Sequence, residues 1–449
     1  MAKFTDFEKD ILRMIEEKRY KDLKETISAI NPYDLAMLLS EFPERSLTLV
    51  FRLLPKDLAS DTFIEMDTDQ QRTLIDSFSD TELKEMISDL YIDDMVYILE
   101  EMPANVVKRI LKNSTESTRK TINQILNYPQ DSAGSIMTTE FVSLRSDMTI
   151  ADAIGKIRRI GLDSETIDAC YVTDNVNHLI GYITLRTIIL SEDDHTIEEL
   201  MDRNVISVHT LEDQEEVANM FGKYDLTVLP VVDKDNRMVG IVTIDDAWDV
   251  LEKETTEDIE LMAAITPSDT PYLKKTTMDI WMSRMPWLLI LMISATFTGM
   301  IITRFENALK TYVVLTAYIP MLMDTGGNSG SQSSVTIIRG LSLHELEFKD
   351  IFKVLWKESK VAILSGLTLS VFNFAKLMLF DKVGFSISLI VSITLLVTVI
   401  IAKMVGSTLP MLAKKIGFDP AVMASPFITT IVDAISLIFY FVITGIVLG

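Results

Sequence analysis

Of 449 residues, only one is cysteine and four are histidine. Cys170 has no intrachain partner, so no disulfide forms, and a reducing compartment suits the chain. So few thiols and imidazoles leave little for a zinc centre or a Ser–His–Asp triad, and no enzyme activity is expected. The start, MAKFTDFEKD, is charged and lacks an apolar core, so no cleaved signal peptide is expected. Positive charge is short as well: 42 Lys+Arg against 65 Asp+Glu leave a net charge of −23. Residues 285–449 hold 9 acids and 12 bases, so residues 1–284 hold 56 acids and 30 bases, a net of −26. An acidic body of this kind repels phosphate backbones and attracts cations, which argues against nucleic acid as a partner.

What the first part does have is a repeat. Pro43, Pro55, Asp67, Ser79, Tyr91, Pro103 and Thr115 recur every 12 residues, with apolar residues such as Leu54, Met66, Phe78, Leu90 and Met102 just ahead of the next mark. Each unit reads as a capping or breaking residue followed by one short amphipathic helix. Such units cannot bury an apolar stripe alone, so a stacked all-α superhelix is expected over 1–130.

From about residue 131 to 250 the pattern changes to alternating strand and helix. YVTDNVNHLIGYITLRTII (171–189) and PVVDKDNRMVGIVTIDDAW (230–248) share an apolar strand, an Asp/Asn turn, a Gly and a second strand leading into a helix. IMTTEFVSLRSDMTIADAI and LMDRNVISVHTLEDQEEVA precede them in the same order. The duplicated β-α-β-β-α module resembles a tandem CBS pair, usually a regulatory sensor. Residues 251–284 then read as an acidic connecting helix.

Beyond residue 285 the chain turns apolar. Five stretches, near 286–303, 312–337, 360–380, 384–409 and 422–447, approach or exceed the ~20 helical residues that a ~30 Å hydrocarbon core requires. Lys274, Lys275 and Arg284, then Arg339, Lys349, Lys353 and Lys357, then Lys414 and Lys415 mark alternate loops, whereas Arg304, Lys310 and Lys382 are sparse in the others. The positive-inside rule predicts a cytoplasmic N-terminus and an external C-terminus in a multi-pass cell-membrane protein.

Three groups of residues could handle a cation. Asp433 lies within the apolar PFITTIVDAISLIFYF, where a carboxylate is costly and usually faces water or an ion; Thr429 and Thr430 sit one turn before it. PMLMDTGGNSGSQSS (320–334) brings Asp324 and Asn328 to membrane depth beside small residues that permit close helix contact. Magnesium keeps much of its hydration, so a few outer oxygens suit it better than a full cage. Third, Asp245 to Glu260 holds eight acids against one base, Lys253. Like charges at i, i+3 and i+4 destabilise a helix unless cations neutralise them, although a plain solvated face reads the same way.

In this order (acidic superhelix, CBS pair, acidic helix, five spans) the whole chain resembles the MgtE family of magnesium channels, most specifically through PMLMDTGGNSG and PFITTIVDA. The resemblance implies a homodimer in membrane lipid with a pore formed from the second and fifth spans. Asp433 would recognise hydrated Mg2+, and Mg2+ bound inside the cell would shut the pore. It assigns Asp246, Asp249, Glu254, Glu257 and Asp258 to the closing plug, with Asp93 or Asp94 as superhelix partners and Asp225 as a further ligand. Nucleotide-binding CBS units in general carry Thr-x-x-Asp after the second strand. The second unit has Thr243 and Asp246, but the first has Thr184 and Thr187, so ATP is a doubtful cofactor. An ion-coupled transporter or exporter of divalent cations with a CBS regulator remains the alternative, and a membrane-anchored sensor a third reading.

Overall fold

Residue Asn31 shows how the first part is built: its side chain accepts a hydrogen bond from the Tyr33 amide and starts a helix. Twelve residues on, Pro43 does the same through its fixed φ of −59°. Asp67 and Ser79 close reciprocal capping boxes with Gln70 and Glu82. The computed structural model describes residues 2–268, 270–423 and 425–448. After α1 (Ala2–Glu16) the repeat yields α2 (Tyr20–Ile27), α3 (Pro32–Leu39), α4 (Glu44–Phe51), α5 (Lys56–Ile64), α6 (Thr68–Ser77), α7 (Asp80–Ile87), α8 (Ile92–Glu101), α9 (Ala104–Asn113) and α10 (Glu116–Ile125). The expected superhelix is present, and its period starts earlier than Pro43, with caps at Arg19 and Asn31. Each helix buries one stripe, for example Leu47, Val50 and Phe51 on α4. Phe51 packs on Phe63 and Phe78 at 6.2 and 5.8 Å between ring centroids, joining α4 to α5 and to the end of α6.

Two three-stranded sheets follow. The first is β1 (Phe141–Arg145), β2 (Thr166–Thr173) and β3 (Leu179–Thr184), with α11 (Ile150–Ile160) crossing between β1 and β2. Short helices α12 (Leu185–Leu190) and α13 (Ile197–Leu200) lead to β4 (Val208–His209), α14 (Gln214–Tyr224), β5 (Val228–Val232) and β6 (Met238–Thr243). In both sheets the outer pair is parallel and the hairpin antiparallel. The two hairpin turns are closed by the same backbone bonds. Asp174 accepts the amides of Val176 and His178, Asp233 those of Asp235 and Arg237, and Asn177 and Asn236 both take left-handed φ values, 67° and 61°. Val228, Ile241 and Tyr171 join the two sheets in one core.

α15 (Ile244–Met262) carries the acidic run. The chain divides into two units, 1–250 and 251–449, along this helix. The connecting helix expected over 251–284 is not continuous. Ala264 turns left-handed (φ 54°) and Ile265 bonds back to the Glu260 carbonyl, a helix-ending turn, and Pro267 and Pro271 prevent its renewal. Helix resumes only at Thr277, where Thr276 and Asp279 form a capping box.

The second unit continues with α16 (Thr277–Arg304), α17 (Glu306–Thr311), α18 (Ile319–Ser342), α19 (Ile351–Lys376), α20 (Phe385–Lys415) and α21 (Ser425–Leu448). Among the described residues, four helical stretches are long and apolar enough to cross a membrane: those built on α16, α19, α20 and α21. α18 starts within the expected span at 312–337 and runs on to Ser342 but is too polar for that criterion, and the residues before it, Val313–Tyr318, wind as a 3-10 helix. Its glycines explain its place. A Cβ on Gly327 would fall 2.9 Å from the Thr429 methyl, and one on Gly330 would fall 2.6 Å from Ile428 and 3.2 Å from the Ala402 carbonyl. Only glycine lets α18 lie this close to α20 and α21.

Candidate cation sites

α8 starts after Tyr91, which places Asp93 and Asp94 in its first turn. There they meet acids from elsewhere in the first unit. The Ile92 amide donates to Glu140 Oε2 at 3.1 Å, and the Glu140 carbonyl accepts the Glu165 amide at 2.8 Å. Asp246 arrives on the first turn of α15, its Oδ2 accepting from Thr243 Oγ1 at 2.6 Å. Asp93, Asp94, Glu140, Glu165 and Asp246 are all half-buried. Burial, then the charge of Asp246, holds the Asp93 carboxyl well above the usual range. The same two causes push Asp94 up to about 7 and Glu165 up to about 8. Asp246 rises to about 6 through burial, opposed by its bond from Thr243 and reinforced by the charge of Asp245. Nearby Glu65 is raised by burial and then by Asp249. Glu165 Oε2 is buried with no hydrogen-bond partner. Carboxylates that repel one another around an orphaned oxygen make an all-oxygen donor set of the kind that suits a hard divalent cation.

The resemblance points to Asp93, Asp94 and Asp246, and the acidic run to Asp245, but Glu140 and Glu165 are passed over. Thr138 Oγ1 donating to Glu140 at 2.7 Å offers no periodic signal, because Glu140 and Glu165 lie in the stretches leading into β1 and β2. Asp249 stands exposed on the same helix as Asp246, and Asp225 is exposed at the left-handed C-cap of α14.

The remaining acids of α15 that the resemblance singled out belong to the second unit. Asp258 is half-buried, donated to by Ser342 Oγ at 3.3 Å, and raised by burial and then by the charge of Asp419, with Arg339 and Lys414 opposing. Asp419, which the sequence reading passed over, is thus its carboxylate neighbour. Glu254 is half-buried and Glu257 exposed.

Within the helical bundle, α18 has two faces. Gly326, Gly327, Ser329, Gly330, Ser333 and Ser334 are buried, whereas Asp324, Asn328, Gln332, Val335 and Arg339 are exposed at helical spacing. Asn328 Nδ2 donates to Asp324 Oδ2 at 3.3 Å. Asp324 is also the charged neighbour of Asp433 on α21, whose Oδ1 is buried without a hydrogen-bond partner. Thr429 turns its methyl to Gly327, and Thr430 Oγ1 donates to the Pro426 carbonyl at 3.1 Å. The structure brings Asp324, Asn328 and Asp433 together, and the two threonines lie one turn before Asp433.

A helical superhelix, a CBS pair and a bundle of apolar helices around one polar helix define a multi-pass membrane protein with a large acidic half. Family models match in that order. The intracellular N domain of MgtE covers residues 30–131, CBS domains cover 133–192 and 197–247, and MgtE, described as a divalent cation transporter, covers 319–443. The magnesium transporter MgtE of Thermus thermophilus is 35% identical over 434 residues, 95% of each chain. That of Bacillus subtilis is 33% identical over 431 residues, 96% of this chain and 95% of its own. The chain belongs to the MgtE family. The cytosolic domain of the Mg2+ channel MgtE, solved with ATP, superposes with a TM-score of 0.51 at 34% identity, covering 54% of this chain and 98% of that one. The soluble part of a magnesium transporter gives a TM-score of 0.52 at 28% identity, with 56% and 99% coverage.

Proposed function

We propose that the chain is a magnesium-selective channel that imports Mg2+ as a homodimer and is shut by intracellular Mg2+. The observation that carries this reading is the exposed polar face of α18. Asp324, Asn328 and Gln332 would lie against lipid in a lone subunit, at a cost of several kcal/mol for the charge alone. A second copy facing this stripe encloses a water-filled path and removes that cost. Asp433, beside Asp324, then offers carboxylate oxygens to a hydrated cation, and contact through the water shell favours Mg2+, which dehydrates reluctantly, over ions that shed water more easily.

The donor set of Asp93, Asp94, Glu140, Glu165 and Asp246 fits a resident Mg2+, which would supply the positive charge these groups lack. With the ion bound, the acidic surfaces would cease to repel one another; Asp249, Glu254, Glu257 and Asp258 would act similarly along α15. A ligand shifts a closed–open equilibrium only by its differential affinity, and several weak sites together reach the ~5.5 kcal/mol that moves a population from 1:99 to 99:1. For ATP, the second CBS unit has the Thr243–Asp246 pair, whereas in the first the Thr184 hydroxyl meets the Thr187 hydroxyl at 2.9 Å and no carboxylate awaits a ribose. A nucleotide would be held from one unit only, by an Asp that the cation site also uses.

Reconstituted protein should pass Mg2+ down its gradient without a proton or sodium gradient, and Asp433→Ala should lower the flux at least ~10-fold. Unchanged Mg2+ flux in that variant would refute the pore assignment, and flux that requires a proton gradient would favour the coupled-transporter reading. Cys placed at Arg304 or Lys382 should react with an external reagent and Cys at Lys414 only with an internal one; the reverse pattern inverts the membrane orientation.

A further inference from the structure

The fourth apolar span contains a lysine that the charge pattern of the loops does not explain. Lys403 sits in α20 and is 6% exposed. Its Nζ donates to Ser333 Oγ at 3.3 Å, and Ser333 Oγ donates to Glu358 Oε2 at 2.7 Å. A cation on α20, a hydroxyl on α18 and an anion on α19 are thus joined in one line across three helices. Charges at this depth are expensive, and those retained are held against a partner or serve the ion path.

The location narrows the choice. Ser333 is one turn beyond Gly330, where α18 and α20 come closest: a Cβ on Gly406 would overlap the Gly330 carbonyl. At ~100° per residue, Ser333 lies about 180° around the helix from Asp324 and about 140° from Asn328. The clamp therefore grips the rear of α18, opposite its exposed polar face, and touches none of Asp324, Asn328 or Asp433. The glycine contacts set how near α18 comes, and the buried Leu322, Ile337, Ile338 and Leu341 give it an apolar seat. A hydroxyl fixed between two opposite charges adds a directional hold on its rotation.

We infer that Lys403, Ser333 and Glu358 are positioning residues that set the rotation of α18 and so aim Asp324 and Asn328 at the cation path. This rests on the proposal that the α18 face lines that path. Neutralising Glu358 alone leaves Lys403 buried without its counter-charge, and neutralising Lys403 alone leaves the half-buried Glu358 drawn toward water; either turns α18, and neutralising both removes that pull.

The test uses the full-length protein in liposomes, with Mg2+ and Ca2+ flux measured against concentration at matched amounts of folded dimer. Lys403→Met and Glu358→Gln should each raise the half-saturating Mg2+ concentration at least ~5-fold and lower the Mg2+/Ca2+ flux ratio. The double variant should return both to within ~2-fold of the parent. Ser333→Ala, which keeps both charges and the packing, should raise half-saturation ~3-fold, and Lys403→Arg should stay near the parent. The inference is overturned if Ser333→Ala and Lys403→Met leave half-saturation and the flux ratio unchanged. It is overturned equally if these variants only lower the melting temperature and the maximal flux, the mark of a plain structural staple. Asp324→Asn and Asp433→Asn in the same assay report on the path itself: parental flux in both defeats the underlying reading, whatever the clamp variants do.

Discussion

In the first unit, Asp93, Asp94, Glu140, Glu165 and Asp246 crowd together; burial raises all five, and the charge of Asp246 raises Asp93, Asp94 and Glu165 further, with no lysine or arginine among the causes. In the helical bundle the buried charge of Lys403 is instead answered by one hydroxyl and one carboxylate at fixed distances. Water reaches the first group and can deliver a cation, so an unbalanced cluster is tolerated and becomes a place where ion concentration is read. Around the second group no counter-ion is at hand, so the balance is built into the chain. A site meant to lose and regain its ion needs the first arrangement, and a helix that must not turn needs the second.

Crowding glycine contacts should break the bundle with the largest effect. Gly330→Leu drives a side chain into Ile428 and the Ala402 carbonyl, and overpacking of this kind costs about 1–3 kcal/mol or more. Detergent-solubilised protein should melt well below the parent or fail to assemble, while Gln332→Leu on the exposed face of α18 should melt as the parent does.

The carboxylate cluster of the first unit should respond in the opposite sense. Asp93→Asn, Asp94→Asn and Glu165→Gln together relieve repulsion, so residues 1–262 should melt higher than the parent without Mg2+. Saturating Mg2+ should stabilise the parent by roughly 2.7 kcal/mol at 100 times Kd and the triple variant hardly at all. A triple variant that keeps the full Mg2+ response would remove the cluster from the sensing site. In liposomes the same variant should conduct at internal Mg2+ that closes the parent.

A smaller effect separates cation binding from proton binding. Asp246, Asp94 and Glu165 have folded values near 6, 7 and 8, above the ordinary 3.8, 3.8 and 4.5. The folded unit therefore holds protons that the unfolded chain releases, and the stability they contribute is complete below pH ~4 and lost as pH rises through 6 to 8. Without Mg2+, melting of residues 1–262 should fall steadily as pH rises over that range. With Mg2+ the slope should flatten. A flat profile without Mg2+ would mean that the carboxylates remain charged and well solvated.

The smallest effect belongs to Asp225. Exposed at the left-handed C-cap of α14, its replacement by Asn, which tolerates the same backbone, should change stability by less than about 0.5 kcal/mol. Loss of Mg2+-dependent protease protection in Asp225→Asn would restore it to the ligand set.

The residues that sequence alone assigned share a local cause. Caps at Asp67 and Ser79, the twin Asp–Asn turns of the CBS pair and the apolar length of α20 act on the few residues beside them, so pattern and structure coincide. The carboxylate at Asp433 was legible for the same reason, as a charge amid apolar neighbours in its own helix. The end of α15 at Met262 was misjudged although Pro267 and Pro271 stand in plain view, because the acidic run was read on past its own stop signals. Glu140 and Glu165 come to Asp93 through strands and loops far along the chain, and Lys403 reaches Glu358 through a serine on a third helix. Such meetings depend on which faces pack together, and burial and charge there take their values only once the helices and sheets have closed around them.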